Sequence, residues 1–457
     1  HAPYGHDATL TLALALYAEQ LLLPHSRWAG YLQSLPNEQN WDGIALFWGA
    51  ALHPDSDAVE ARRWLSGTEA ETHLLLPDSP RTPLLNDISS FYFSIAAPLL
   101  KRAGLLSSER GFQHAYALVS SRAFMVDAYH GLAMVPIADA FNHAQENSIH
   151  LESDYDVCTS CGSLSECPHD VEVHGDVSPP APGADAADPE NTCEMVVNAT
   201  IAPDSEIFNT YGAKLTNAEL LVRYGFMLDA NDNDTLTWTI EEIWDAAGAA
   251  LHDLRPRRWD DHAGYGVCMK ILRDWQYDAG WVDSELVIDT EPNENRNPLY
   301  MTADGVLSHK LWLAIALAAL WRQGMTTEAA EKRQLLTRIA WAQIQMEQGQ
   351  TESRKEGVDE DDDDAYEALD RLIRTIGKLC TRRMDRISRI NGRQQGDRGL
   401  GQHSATMGKY IDDLDSAQQK THLAVTLALA EISIVESSVG RWDELTAIAQ
   451  SRQNRHY

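Results

Sequence analysis

Ile137-Ala138-Asp139-Ala140-Phe141-Asn142-His143 is the stretch on which the reading of this sequence turns. It closes a short apolar run, 132–137, suited to a buried strand, and it sets an acid, an amide and an imidazole at the following turn. Upstream stands Ser121-Arg122-Ala123-Phe124. Downstream stand Phe208-Asn209-Thr210-Tyr211-Gly212 and Asn217-Ala218-Glu219-Leu220-Leu221-Val222-Arg223-Tyr224-Gly225-Phe226. Taken singly, each has a bland explanation. Asn-His after a strand is a turn, Tyr-Gly is a strand end meeting a bend, and Arg122 is a surface or ion-pair residue. Their common order, with a thirteen-residue step from Tyr211 to Tyr224, makes the bland readings improbable together.

Outward from these motifs the chain changes character at Leu132. Before it, residues 10–23 are Leu/Ala-rich without Pro or Gly, which predicts a helix. Residues 26–35 predict another, ended by Pro36. Residues 41–52 are aromatic and apolar, and 91–126 predict a longer helical block broken at Gly104 and Gly111. After Leu132, residues 193–199 and 206–210 predict short strands, and 215–224 a short helix ended by Gly225. Residues 171–190 are rich in Pro, Ala, Gly and Asp, cannot bury enough surface to order themselves, and read as a flexible insertion. From 229 onward, residues 238–254, 307–321, 326–347, 365–390 and 409–437 show helical spacing. The acidic run 359–364 is expected to be a solvated loop between helices.

The composition sets limits. At 457 residues, 44% hydrophobic and 23% charged, the chain suits a folded protein of two or three domains and not a disordered one. With 37 Lys and Arg against 68 Asp and Glu, the net charge is −31. Such a surface repels phosphate backbones and argues against a duplex-DNA reader. It favours a basic partner, although solubility alone explains it as well. The most apolar run, 311–321, is too short to cross a membrane, so no spanning segment is expected. Six cysteines in this length do not make a disulfide scaffold.

The four motifs, in this order, closely resemble the SET-domain protein-lysine methyltransferases of the Rubisco large-subunit methyltransferase type. The resemblance is strong from Ser121 to Phe226 and architectural after Asp229. It implies an α+β fold: a SET domain of small β-sheets with a helical insert, followed by an all-α C-terminal domain. Residues 1–128 resemble the helical insert, with Trp28 and Ala61-Arg62-Arg63-Trp64-Leu65-Ser66-Gly67-Thr68-Glu69 as its marks. Residues 129–228 resemble the core SET segment, carrying a Cys-rich loop at 158–169 and the insertion at 171–190. Residues 229–457 resemble the helical substrate-binding domain, with an acidic loop at 355–364. In this family a Gly-x-Gly-type segment precedes the insert. Here the insert begins near Thr9 with only Gly5 before it, so a chain lacking that N-terminal segment is expected.

The resemblance further implies S-adenosylmethionine as cofactor and the side-chain amine of a lysine in a protein as methyl acceptor. Ser121, Arg122, Asp139, Asn142 and His143 are then the cofactor-binding residues. Arg122 would pair with the cofactor's carboxylate, a task for a planar, permanently charged fork. Asn142 and His143 would hold its amino-acid and adenine portions. Asp139 would support that geometry, with a turn-capping acid as the other reading. Tyr211 matches the family's catalytic tyrosine, and Tyr224 and Phe226 match walls of the lysine channel. Methyl transfer to an amine is an in-line displacement that needs alignment and a neutral nucleophile. Free lysine titrates near about 10.4, and an aromatic channel beside a cation lowers that value. The other readings are a non-catalytic SET scaffold that binds a basic protein, and the same chemistry on a histidine acceptor. A monomer acting on a basic protein such as a histone or ribosomal protein is expected, without direct nucleic-acid or membrane partners, in the nucleus or cytoplasm.

Cys158, Cys161, Cys167 and His169 spell C-x2-C-x5-C-x-H. Four soft-to-borderline ligands in twelve residues match the needs of tetrahedral zinc, and Gly162 permits the tight turn of a Cys-x-x-Cys knuckle. A metal of this kind would be structural, because four protein ligands leave no open position. The alternative is a loop of reduced, unliganded thiols, and His174 and Cys193 are fallback ligands.

Overall fold

Along the chain, helices precede and follow a middle third of short strand pairs. The computed structural model describes residues 5–37, 43–49, 55–76, 79–152, 157–162, 167, 169, 193–250, 298–322, 335–343, 360–389 and 402–453. The insertion expected at 171–190 lies outside them. In chain order the elements are α1 (His6–Leu22), α2 (Ala29–Ser34), α3 (Ser56–Leu65), α4 (Glu69–His73), β1 (Leu75–Leu76), β2 (Ser79–Pro83), α5 (Leu84–Phe91), α6 (Ala97–Arg102) and α7 (Glu109–Arg122). Then follow β3 (Ala123–Met125), β4 (Leu132–Met134), β5 (Asn142–His143), β6 (Ile149–Glu152), β7 (Glu194–Val197), β8 (Phe208–Asn209), α8 (Asn217–Tyr224), β9 (Thr235–Thr237), α9 (Ile240–Ala250) and β10 (Tyr300–Thr302). The remaining described helices are α10 (His309–Arg322), α11 (335–343), α12 (Glu360–Arg389), α13 (Gln402–Asp412) and α14 (Gln419–Gln453). The α+β class expected from the sequence is observed. The chain divides into two units, one of residues 1–54, 72–215 and 219–227, the other of 55–71, 216–218 and 228–457.

In the first unit α1 packs on α7 around the fully buried Phe112. Phe91 stacks on Phe112 at 5.7 Å between centroids, and Tyr17 meets it edge-on at 6.4 Å. Ser108 starts α7 as an N-cap: its hydroxyl accepts from the Gly111 amide at 3.1 Å, satisfying one of the helix's orphan donors. Gly104 ends α6 as expected, with φ of +76° and the Leu105 amide donating back to the Leu100 carbonyl at 2.9 Å, a Schellman closure. Gly111 corrects the reading of a break there. It lies within α7, and a Cβ on it would come within 2.7 Å of Cζ of Tyr17. The glycine lets α1 approach α7; it does not interrupt the helix.

The strands of this unit form two-stranded pieces. β3 and β4 are an antiparallel hairpin, β6 pairs antiparallel with β7, and β5 pairs parallel with β8. The strand expected over 132–137 stops at Met134, because Ile137 has a φ of +75°. The β5–β8 pair puts Asn142 beside Phe208 and His143 beside Asn209. The ladder is continued by amide donation from Ala144 to the Asn209 carbonyl (3.0 Å) and from Ser148 to the Phe208 carbonyl (2.8 Å).

The second unit is mainly helical. α12 carries Ala365, Leu369, Leu372, Ile376, Leu379 and Ile387 on one buried stripe, a helical period that packs it on α9 and α14. Residues 55–71, which sequence order places in the first third, belong here. α3 packs on α14, and Asp57 accepts from the Lys420 and Thr421 amides at 3.0 and 2.9 Å, capping the start of α14. Glu69 is buried between the two larger helices. It accepts from Arg383 Nη2 at 2.5 Å, and Arg383 also donates to Glu431 Oε2 at 3.1 Å. The other Glu431 oxygen accepts from the Glu69 amide at 2.7 Å.

Two expectations are corrected here. The acidic loop at 355–364 is not a loop over its second half: Glu360–Asp364 open α12, and 355–359 lie outside the described residues. Acids at a helix start face the positive end of the helix dipole, which favours them. The expectation that no segment is long and apolar enough to span a membrane also fails by length and composition, since Gln419–Leu445 reaches a mean hydropathy of 1.5. Just over half of that window is buried inside the protein, and it carries the ion-paired Glu431. Packing against α3 and α12 accounts for its apolar character.

Candidate active site

The β5–β8 pair fixes the centre of the site, because each strand ends in a motif residue. His143 and Asn209 are buried side by side. The Tyr211 amide donates to His143 Nδ1 at 3.1 Å, and the Tyr211 hydroxyl donates to the Phe141 carbonyl at 3.1 Å. An accepting Nδ1 requires that nitrogen to be unprotonated, and burial lowers the His143 pKa in the same sense. The Tyr211 ring lies 5.3 Å from His143, nearly parallel, and stacks on Tyr224 at 4.8 Å. Phe226 closes the group at 6.3 Å from Tyr211 and 6.1 Å from His143. Four aromatic rings from three separate motifs thus converge. Burial also raises the phenol pKa of Tyr211 and of Tyr224, so both hydroxyls keep their protons at neutral pH.

Arg122, the last residue of α7, donates from Nη1 to the Asp139 backbone carbonyl at 2.7 Å, with Asp139 Oδ2 at 3.8 Å. The carbonyl contact uses one of the five N–H donors of the guanidinium. The Asp139 carboxylate is nearly buried and accepts from the Tyr31 hydroxyl at 2.8 Å. Burial, then the Asp139 bond and charge, drives the Tyr31 phenol far up. Asp139 thus meets Arg122 through its backbone carbonyl and, at 3.8 Å, through its carboxylate. The backbone that delivers it is strained: Ile137, β-branched and exposed, sits in the left-handed region just before the 3-10 turn Ala138–Ala140.

Of the residues singled out in the sequence, Tyr211, Tyr224, Phe226 and His143 form one cluster, and Arg122 and Asp139 form a bonded pair. Asn142 turns its amide outward to Glu206 Oε1 at 2.6 Å. Ser121 donates its hydroxyl back to the Ala117 carbonyl of its own helix at 2.7 Å. Cys158, Cys161, Cys167 and His169 make a cluster of their own, with ligand atoms all within 4.8 Å of one another. Sequence reasoning missed Tyr31, Asn209 and Arg223. Arg223 lies 5.3 Å over the Tyr224 ring and donates to the Ser120 carbonyl at 2.5 Å, tying α8 to the end of α7. Asn209 lies inside one of the motifs, yet nothing in the motif marks it. Its Oδ1 accepts from the Thr210 amide, which orients the group, and its buried Nδ2 has no partner among the described residues.

Gly225 holds the Tyr224–Phe226 step in place. Its φ is +83°, its amide donates to the Leu220 carbonyl at 3.0 Å, and a Cβ there would stand 3.0 Å from the Gly43 carbonyl carbon. Gly225→Ala is expected to destabilise the protein by about 1–2 kcal/mol from the backbone conformation alone, read as a lowered denaturation midpoint. An unchanged midpoint would show that the turn is not held as described.

No family model matches the chain. A 170-residue match is 32% identical to Ribosomal lysine N-methyltransferase 3 of Saccharomyces cerevisiae; it takes in 28% of this chain and 30% of that protein. The chain thus spans under a third of the curated relative it matches. Among solved structures, the SET domain of LSMT bound to MeLysine and AdoHcy aligns with 97% of this chain and 76% of its own length, at 14% identity and a TM-score of 0.53. Rubisco LSMT bound to AdoMet aligns over the same shares at 15% identity and a TM-score of 0.52. Over almost its whole length the chain has the fold seen in the SET domain of LSMT.

Proposed function

We propose that this protein transfers a methyl group from S-adenosylmethionine to the side-chain amine of a lysine in a protein substrate. The observation that carries the proposal is the convergence of Tyr211, Tyr224, Phe226 and His143 into one uncharged aromatic group. The names of the similar proteins support it: one is a ribosomal lysine N-methyltransferase, and LSMT is bound to AdoMet in one structure and to MeLysine with AdoHcy in another.

The residues suit the cofactor. Arg122 is a held guanidinium for its carboxylate, and the orphaned Nδ2 of Asn209 is a buried donor awaiting an acceptor. When bound, the cofactor supplies the methyl group and a positive charge. The protein's part is alignment and control of the acceptor's proton. The aromatic walls disfavour a charged ammonium by desolvation. Because the phenols and the imidazole are neutral, no anion among these rings restores the charged form. The Tyr211 hydroxyl has committed its only proton to the Phe141 carbonyl, so it presents lone pairs, which accept an amine N–H and hold the nitrogen in line. The acidic composition favours a basic protein as substrate, and a monomer working in the nucleus or cytoplasm completes the proposal.

The test uses titration calorimetry with S-adenosylmethionine, followed by mass spectrometry of basic proteins incubated with chain and cofactor. Arg122→Ala is expected to weaken cofactor binding about 10- to 100-fold, the loss of one charge-assisted contact. Methylation is expected on lysine. Cofactor affinity indifferent to Arg122, or methyl groups found on histidine alone, would overturn this reading.

A further inference from the structure

We infer that Cys158, Cys161, Cys167 and His169 form a structural zinc site that fastens the chain leaving β6 onto the turn between β3 and β4. The argument is geometric. In a tetrahedral zinc site with Zn–S near about 2.3 Å and Zn–N near about 2.0–2.1 Å, a sulfur and a nitrogen ligand are separated by about 3.6 Å. Here Cys158 Sγ lies 3.7 Å and Cys167 Sγ 3.6 Å from His169 Nδ1. All four ligand atoms lie within 4.8 Å of one another, so a single ion reaches each.

The backbone is arranged to match. The Gly162 amide donates to the Cys158 carbonyl at 2.7 Å and the Cys161 amide to the same oxygen at 3.3 Å. The Ser160 amide points at Cys158 Sγ at 3.4 Å, as a donor to a thiolate would. Gly162 takes a φ of +75°, and a Cβ on it would stand 2.9 Å from Cδ1 of Tyr129, so the knuckle is seated directly on that ring. Tyr129 belongs to the β3–β4 turn, itself held by the Tyr129 and His130 amides donating to Asp127.

None of the described residues among 157–162, 167 and 169 is buried. Among the described residues the segment has contact with the Tyr129 ring but no buried side chain of its own, and a metal would supply further cohesion. Three thiolates and an imidazole select zinc by softness and tetrahedral preference over the harder divalent cations. Binding displaces the three thiol protons to solvent, while His169 supplies the lone pair of Nδ1. With four protein ligands the ion has no open position and does no chemistry.

The full chain, purified without chelator, is expected to contain about one zinc per molecule. Elemental analysis measures it, together with thiol titration of the native protein. The double variant Cys158→Ser, Cys161→Ser is expected to lose the metal, and Cys193→Ser to keep it. Should the double variant fail to fold, cobalt added to the metal-stripped wild-type chain gives the second reading: a tetrahedral spectrum with thiolate-to-cobalt charge transfer is expected. Zinc absent from the wild type, zinc retained by the double variant, or a six-coordinate cobalt spectrum would each overturn the site.

Discussion

On the proposed function, replacing Tyr211 with phenylalanine is expected to lower methyl-transfer turnover by on the order of 100-fold and to leave cofactor binding nearly unchanged. The aromatic ring survives in Tyr211→Phe, so the stacks on Tyr224 at 4.8 Å and on His143 at 5.3 Å are kept. What disappears is one oxygen. That oxygen donates to the Phe141 carbonyl, and on the proposed function its two lone pairs are what an incoming amine would meet. Losing them removes the acceptor that holds the nitrogen in line, so the effect falls on turnover. Folding loses one partly buried hydrogen bond, about 1 kcal/mol. Steady-state methylation on lysine, titration calorimetry and thermal melting separate the three quantities. Unchanged turnover would sink the assigned role of Tyr211, and a collapse of cofactor affinity would relocate that role to binding.

The second large effect is on stability. Arg383→Met is expected to destabilise the second unit by about 3–5 kcal/mol, because it leaves Glu69 and Glu431 buried without their counter-ion. Arg383, Glu69 and Glu431 are each under a tenth exposed, and the guanidinium bridges both carboxylates. Denaturant unfolding of the full chain measures the loss. A triple variant Glu69→Gln, Arg383→Met, Glu431→Gln is expected to regain part of it, since no charge is then stranded. A cost below about 1 kcal/mol for Arg383→Met would mean that the bridge is solvated.

The raised Glu431 carboxyl in this bridge predicts a pH dependence of stability. Burial pushes the Glu431 carboxyl up to about 7; Arg383 opposes that shift and the nearby Glu69 adds to it. Between the ordinary carboxylate range and about 7, the folded protein holds a proton that the unfolded chain has released. Stability from this group is therefore complete below the ordinary carboxylate range. It is lost as pH rises from there through about 7, with a limiting slope of about 1.4 kcal/mol per pH unit. Glu431→Gln is expected to flatten that slope.

Local chemistry made much of this protein legible. Gly225 as a helix stop, Gly104 as the close of α6 and the apolar stripe of α12 all follow from signals confined to a few neighbouring residues. The Asn142–His143, Tyr211 and Tyr224 motifs and the spacing of Cys158, Cys161, Cys167 and His169 were visible for the same reason, although Asn142–His143, read as a turn, is strand β5, because its pairing with β8 is non-local. Gly111 misled because its role is a close approach to Tyr17, which no local pattern reveals. The acidic run misled because loop and helix start both tolerate solvated acids, and only the packing of α12 decides between them.

What the tertiary structure alone decided are the pairings between distant segments. Tyr31 meets Asp139 across 108 positions, Glu69 meets Arg383 across 314, and β8 lies parallel to β5 with β6 and β7 between them in the chain. A side chain's own neighbours set its backbone preference. Its buried partner is set by which distant surface excludes water most completely, and that is a property of the whole fold.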